Sequence, residues 1–204
     1  MYNKIIVFEG IDGSGKTFHI NEVSKYLIKK KVKFIKFREP GGTINSEIIR
    51  NIILSDKSNF KTKTDLLLYL AARNENYESL IKPNINKKVI LIDRFMDSTI
   101  AYQHYGFKIN KKIIDDLNNF VLGNLKPNFT FFHFVPIKHI KKNISGKKNR
   151  YDKFNKKFYK NVQDGFMKIL KKNRNKLLID SSKSKKYNIE LIKNKINKIL
   201  NIHD

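Results

Sequence analysis

The sequence predicts an α/β fold: a parallel sheet of five strands with helices on both faces. Three observations predict it. Short apolar runs of strand length alternate with longer stretches of helical spacing along the chain. Val89 to Ile92 is a continuous apolar run, as a parallel strand covered on both sides requires. A glycine-rich segment, Phe8 to Thr17, joins the first strand-like run to the first helix-like stretch. At 204 residues the chain is long enough for one such domain with a sizeable core, and residues 1–204 are read as a single domain.

Taken in order, Lys4 to Glu9 reads as the first strand, and Lys16 to about Lys31 as the helix it feeds, with Ile20, Val23, Leu27 and Ile28 on one face. Val32 to Phe37 alternates apolar and basic residues as a second strand and ends in the Pro-Gly loop of residues 38–43. Ser46 to Leu54 and Thr64 to Ile81 are helical, the latter expected to stop at Pro83. After the Val89 to Ile92 strand, Asp97 to about His104 and Lys111 to Val121 read as helices. Phe129 to Val135 and Lys176 to Ile179 complete the strands, with a helix running to about Lys172 between them. The tail from Tyr187 to Leu200 places Ile189, Ile192, Ile196 and Ile199 at helical spacing, an expected core face. Parallel sheets of this kind bind ligands beyond the C-terminal ends of their strands, and the loops of interest fall at that edge.

The segment FEGIDGSGKT fits G-x-x-x-x-G-K-[ST] at Gly10, Gly15, Lys16 and Thr17, with Gly13 and Ser14 inside it. In the strand–loop–helix setting required, its backbone N–H groups cradle a polyphosphate, Lys16 reaches the terminal phosphates and Thr17 can hold Mg²⁺. The fold class is therefore that of a P-loop NTPase, with a nucleoside triphosphate the expected ligand. Asp93, at the end of an apolar strand, is placed as the carboxylate that orients Mg²⁺ through water, and Arg94 beside it points toward the same cleft.

Composition narrows the classes further. Without cysteine there is no disulfide framework and no Cys-based metal or redox site. No apolar run approaches a membrane span and no leader precedes the first strand, so a soluble, cytoplasmic protein is expected. The net charge of +25 suggests nucleic acid at first sight. Yet only six of the 43 basic residues are Arg, and the companion enrichment in Asn, Ile, Phe and Tyr is what A/T-rich codons specify. No specific nucleic-acid partner is expected, and each scarce arginine (Arg38, Arg50, Arg73, Arg94, Arg150, Arg174) invites a reason.

Tyr69 and Arg73, four apart on a helix, can present a phenol ring and a guanidinium to a flat base. Thr99, Tyr102 and Gln103 share a face in the same way. A polar, basic stretch from Lys141 to Lys148 reads as the start of a lid over about residues 141–152; Lys147, Lys148 or Arg150 could bring positive charge to a transferring phosphoryl group. The five histidines have no metal-ligand spacing.

On these residues the chain resembles bacterial thymidylate kinases. FEGIDGSGKT at 8–17, REPGGT at 38–43, DRFMDSTIAYQ at 93–103 and RYDKFNKKFYKNVQDGF at 150–166 occur in the family's order, with LLLYLAAR at 66–73 between the second and third. The resemblance implies transfer of a phosphoryl group from ATP to dTMP with Mg²⁺, and a homodimeric habit. It implies that Asp12 binds the sugar 3′-hydroxyl, that Arg94 with Arg38 or Arg50 holds the substrate phosphate, that Tyr69 stacks on thymine and that Arg73 reaches O4. Thr99 and Gln103 would read the remaining base edge, and Tyr102 would crowd the 2′ position. With Gly13 where one subgroup carries an arginine, the catalytic cation is expected from the lid, as Arg150, with Lys147 and Lys148 the alternatives. The chain departs from the family at Phe18, at Phe134-Val135-Pro136 and at Asn149-Arg150-Tyr151-Asp152. A kinase for another nucleotide or deoxynucleoside, or a nucleic-acid-binding NTPase, is the alternative reading.

Overall fold

In a computed structural model, residues 4–136, 150–172 and 175–202 of the chain are described. Five parallel strands form one sheet in the order β2-β3-β1-β4-β5: β1 Ile5–Gly10, β2 Phe34–Arg38, β3 Val89–Asp93, β4 Phe129–Phe134 and β5 Lys176–Asp180. The register sets Phe8 beside Asp93 and Gly10 beside His133. The C-terminal ends of the three strands nearest the phosphate loop are thereby level.

The helices are α1 Lys16–Lys29, α2 Ile44–Leu54, α3 Thr62–Asn76, α4 Met96–Thr99, α5 Lys111–Leu122, α6 Lys156–Lys171 and α7 Lys185–Leu200. Strand alternation divides the core. Ile6 and Phe8 face α1 and α7, meeting Val23, Leu27, Ile192 and Ile196, whereas Ile5 and Val7 point to the other face, among Ile90, Phe95 and Leu122. On the far side of β4, Phe132 packs on Val162 and Phe166 of α6. Side-chain caps start four helices, with Thr43, Asn110, Asn155 and Ser184 each accepting from a backbone N–H two or three residues on.

Three local expectations are corrected. Helix α3 does not stop before Pro83: it widens into a π-helical stretch, Tyr77–Ile81, and continues as a short turn, Lys82–Asn84. Pro83 sits at the start of that turn, where a missing N–H costs little. Second, α4 winds on as a π-helix over Ile100–Gly106, with Phe107 N–H donating to the Tyr102 carbonyl. Third, on α7 the core positions are Ile192, Ile196 and Leu200, with Ile199 at their margin, while Ile189 stays half-buried outside that cluster.

Candidate active site

The phosphate loop turns directly out of β1. Gly15 adopts a left-handed backbone (φ 88°) and caps α1, which points the first N–H groups of the helix into the cleft. Gly10 lies so close to β4 that a Cβ there would collide with the His133 carbonyl. Beneath the loop His133 and His19 stack, Nε2 to Nδ1 at 3.1 Å. Burial and the His19 ring hold His133 well below the ordinary imidazole range, so it packs as a neutral ring.

Lys16 is buried in the loop and donates to the Ile11 carbonyl at 2.8 Å. Burial and the neighbouring Arg94 bring its ammonium down to about 8. Thr17 Oγ1 donates to Asp93 Oδ2 at 3.1 Å, joining the start of α1 to the end of β3. Asp93 Oδ1 is buried and has no hydrogen-bond partner among the described residues. A hydroxyl and a carboxylate with an unused oxygen fit a hard divalent cation held partly by water and phosphate. Among the described residues no group of three or more His, Asp or Glu side chains could hold a metal ion by itself.

Arg94 joins two recesses. Its backbone is left-handed (φ 69°), and its Nη2 donates to Asp12 Oδ1 at 2.6 Å, its Nη1 to Ser98 Oγ at 3.3 Å. The guanidinium also lies 5.4 Å from the centre of the Tyr102 ring. Burial works against the Asp12 charge, but Arg94 and Lys16 outweigh it and lower the pKa, so the carboxylate is ionised. Glu9, at the end of β1, accepts from the Phe95 and Ser98 N–H groups at 2.8 and 3.1 Å and from the Ser98 hydroxyl. Those bonds fix the turn that presents Arg94.

One recess is a cleft of about 810 Å³ along the phosphate loop, bordered by Gly13, Ser14, Gly15, Lys16, Thr17, Asp93 and Arg38. The other is a narrower cavity of about 100 Å³, lined by Tyr69, Arg73, Phe95, Thr99, Tyr102, Gln103 and Tyr151. Asp12, Glu39, Arg50 and Arg94 border both, so the two recesses open onto one another. Arg50 donates to the Pro40 carbonyl at 2.7 Å, and the more exposed Arg38 pairs with Glu47 at 2.9 Å. Arg73 is buried, with Nε on Glu39 at 2.8 Å and Nη1 on Asn118 at 2.6 Å. The Gln103 Oε1 and Tyr102 hydroxyl oxygens are buried without a partner among the described residues.

Among the described residues, the expected site residues border one or both recesses, with two exceptions: Gly10, which packs against β4, and Arg150. Arg150 borders neither recess and pairs instead with Asp65 of α3. Arg150 is thus not brought to the phosphate-loop cleft in this structure. Lys147 and Lys148, and the lid as far as residue 149, lie outside the described residues, as do His139, Arg174 and His203. Sequence reasoning missed Glu9, Glu39, Asn118 and Tyr151. Asn118 left a signal, being a polar residue between Ile114 and Leu122 on the buried stripe of α5.

A phosphate loop with a cation-rich cleft, opening onto a narrower cavity lined by aromatic rings, defines a P-loop kinase of the nucleoside monophosphate type. The family model described as thymidylate kinase matches residues 8–196. A thymidylate kinase of Thermosipho melanesiensis is 38% identical over 197 residues, covering 96% of this chain and 98% of the relative. One from Ehrlichia chaffeensis is 39% identical over 188 residues, covering 91% of each. The crystal structure of thymidylate kinase from Ehrlichia chaffeensis superposes with a TM-score of 0.78 at 33% identity, covering 99% of this chain and all of the other. The chain belongs to the thymidylate kinase family.

Proposed function

We propose that the protein transfers the γ-phosphoryl group of ATP to dTMP, giving dTDP and ADP for dTTP synthesis. The observation that carries this reading is the junction of the two recesses at Asp12, Arg50 and Arg94. A donor polyphosphate on the loop and an acceptor phosphate at the mouth of the cavity would meet there, and holding the two together supplies much of the acceleration. Lys16 and Arg94 stabilise the charge on the moving group, and Thr17, with Asp93 through water, would hold Mg²⁺, which would supply further neutralisation of phosphate charge. In the cavity, Tyr69 stacks on thymine while Arg73 donates to its O4. Thr99 and Gln103 take the rest of the base edge; the unpartnered Gln103 Oε1 is an acceptor suited to the N3–H of a pyrimidine. Asp12 accepts from the 3′-hydroxyl, Arg94 with Arg50 and Arg38 holds the acceptor phosphate, and Tyr102 occupies the space a 2′-hydroxyl needs.

Among the described residues no helix is long and apolar enough to cross a membrane. A cytoplasmic homodimer without a specific nucleic-acid partner completes the proposal. The dimer is supported by an exposed stripe at Ile44, Ile48 and Ile52 on α2, with Leu67 exposed on α3. The reading is tested by comparing kcat/KM for dTMP, dUMP, CMP, AMP and thymidine with ATP, in the presence and absence of DNA. dTMP is expected to be the best acceptor and DNA to be without effect; a better acceptor, or ATP hydrolysis stimulated by DNA, overturns it.

A further inference from the structure

We infer that Asp65 is a positioning residue: through its ion pair with Arg150 it seats Tyr151 as a wall of the nucleoside cavity, so this pair sets acceptor affinity rather than the phosphoryl-transfer step. The inference rests on the reading of that cavity as the dTMP pocket. Asp65 lies in the first turn of α3, one turn before Tyr69, and is only 3% exposed. A carboxylate so buried requires compensation, and two side chains supply it. Arg150 Nη2 pairs with Oδ1, and the Tyr151 hydroxyl donates to Oδ2 at 3.4 Å.

Arg150 is held in turn. Its guanidinium lies 5.0 Å from the Tyr151 ring centre and 5.7 Å from that of Phe60, and Nη2 also reaches the Tyr151 hydroxyl at 3.3 Å. Tyr151 is therefore anchored at its hydroxyl by Asp65 and Arg150, and at its carbonyl by the Tyr159 hydroxyl of α6, 2.9 Å away. Its ring stands edge-on to Tyr69 and Tyr102, with centres 6.4 and 6.2 Å apart. Burial, with Tyr69 and Asp65 close by, pushes the phenol far above its usual range, so it stays neutral and a donor. Every other residue lining the cavity lies between positions 12 and 103; Tyr151 is the one described residue from the C-terminal part of the chain. The contribution of that part to the pocket is tied to α3 through Asp65.

The test is a double-mutant cycle of Asp65→Asn, Arg150→Gln and the combined variant, with Tyr151→Ala for comparison. Calorimetric dTMP affinity, both KM values and kcat are measured for each. Each single variant, like Tyr151→Ala, is expected to weaken dTMP binding and raise its KM by about tenfold, with kcat at saturation and the KM for ATP nearly unchanged. The combined variant should be no worse than the poorer single one, because both changes break one contact. It also removes both charges together, which protects its fold from an unpaired buried ion. Loss of kcat in Arg150→Gln at unchanged dTMP affinity overturns the inference and returns the arginine to the phosphoryl group. Additive effects, or none, overturn it as well. A wild-type chain that neither binds nor phosphorylates dTMP overturns the functional reading and the inference together; a wild-type chain that does both, beside a failed cycle, overturns the inference alone.

Discussion

Glu9 illustrates how a single residue serves the site from outside both recesses. Its three accepted hydrogen bonds hold the β3–α4 turn, and with it the left-handed Arg94. Burial and the nearby Asp97 raise its carboxyl from 4.5 to about 7, against the opposing pull of Ser98, the Phe95 N–H and Arg94. Between those two values the native chain keeps a proton that the unfolded chain has released, so this group costs stability as the pH rises through that window. At pH 8 the cost is on the order of 3 kcal/mol. Glu9→Gln keeps an oxygen for both N–H groups and offers its amide to the Ser98 hydroxyl, without the charge. The variant is expected to gain thermal stability over the wild type, by a margin that widens from pH 5 to pH 8 in melting experiments. A margin independent of pH would contradict the account of Glu9. None of this was legible in the sequence, where Glu9 is one letter of a phosphate-loop motif. The motif residues themselves were legible, because their chemistry depends on local spacing. The partners of Arg73, Glu39 and Asn118, were not: they come from a loop and a helix far away in the chain.

At the scale of elements, strands and helices followed from apolar period and length, while their irregularities did not. The π-helical stretch at Ile100–Gly106 answers to packing against α6, where the two approach at glycines. A Cβ at Gly165 would stand 2.5 Å from the Tyr105 Cγ and 2.7 Å from its Cβ, atoms too near the backbone to swing aside. Gly165→Ala therefore replaces a poor helix former by the best one and still should destabilise. Helix propensity offers about 1 kcal/mol, and overpacking costs about 1 to 3 kcal/mol. Because the displaced element carries Thr99, Tyr102 and Gln103 toward the cavity, the variant is expected to melt lower and to bind dTMP less well. Unchanged melting and affinity would show that the two elements have room to separate. Periodicity alone did not mark this contact, since a glycine inside α6 reads simply as a weak helix position.

Over the whole molecule, the described arginines and the lysines are placed differently. Arg38, Arg50, Arg73 and Arg94 border the two recesses, and Arg150 braces a wall of one, whereas many lysines are dispersed over the surface. That distribution favours a site built from specific cations over a general polyanion groove. What the sequence left open was the outer face of α2, because an apolar stripe reads as core until its neighbours are known. Ile48, 55% exposed beside Ile44 at 83%, is the centre of that stripe. Ile48→Glu is expected to shift the sedimentation of a dimer toward monomer while leaving the melt of each chain nearly intact. A wild-type protein already monomeric at micromolar concentration would contradict the dimer.

The central claim is that the two connected recesses are the donor and acceptor sides of a single transfer. Chromatographic quantitation of all nucleotides after incubating the purified protein with ATP, Mg²⁺ and dTMP tests it most directly. Equal amounts of dTDP and ADP should appear at matching rates, with almost no free phosphate, and Lys16→Ala should abolish both. ADP accompanied by free phosphate, with dTMP recovered unchanged, would contradict it.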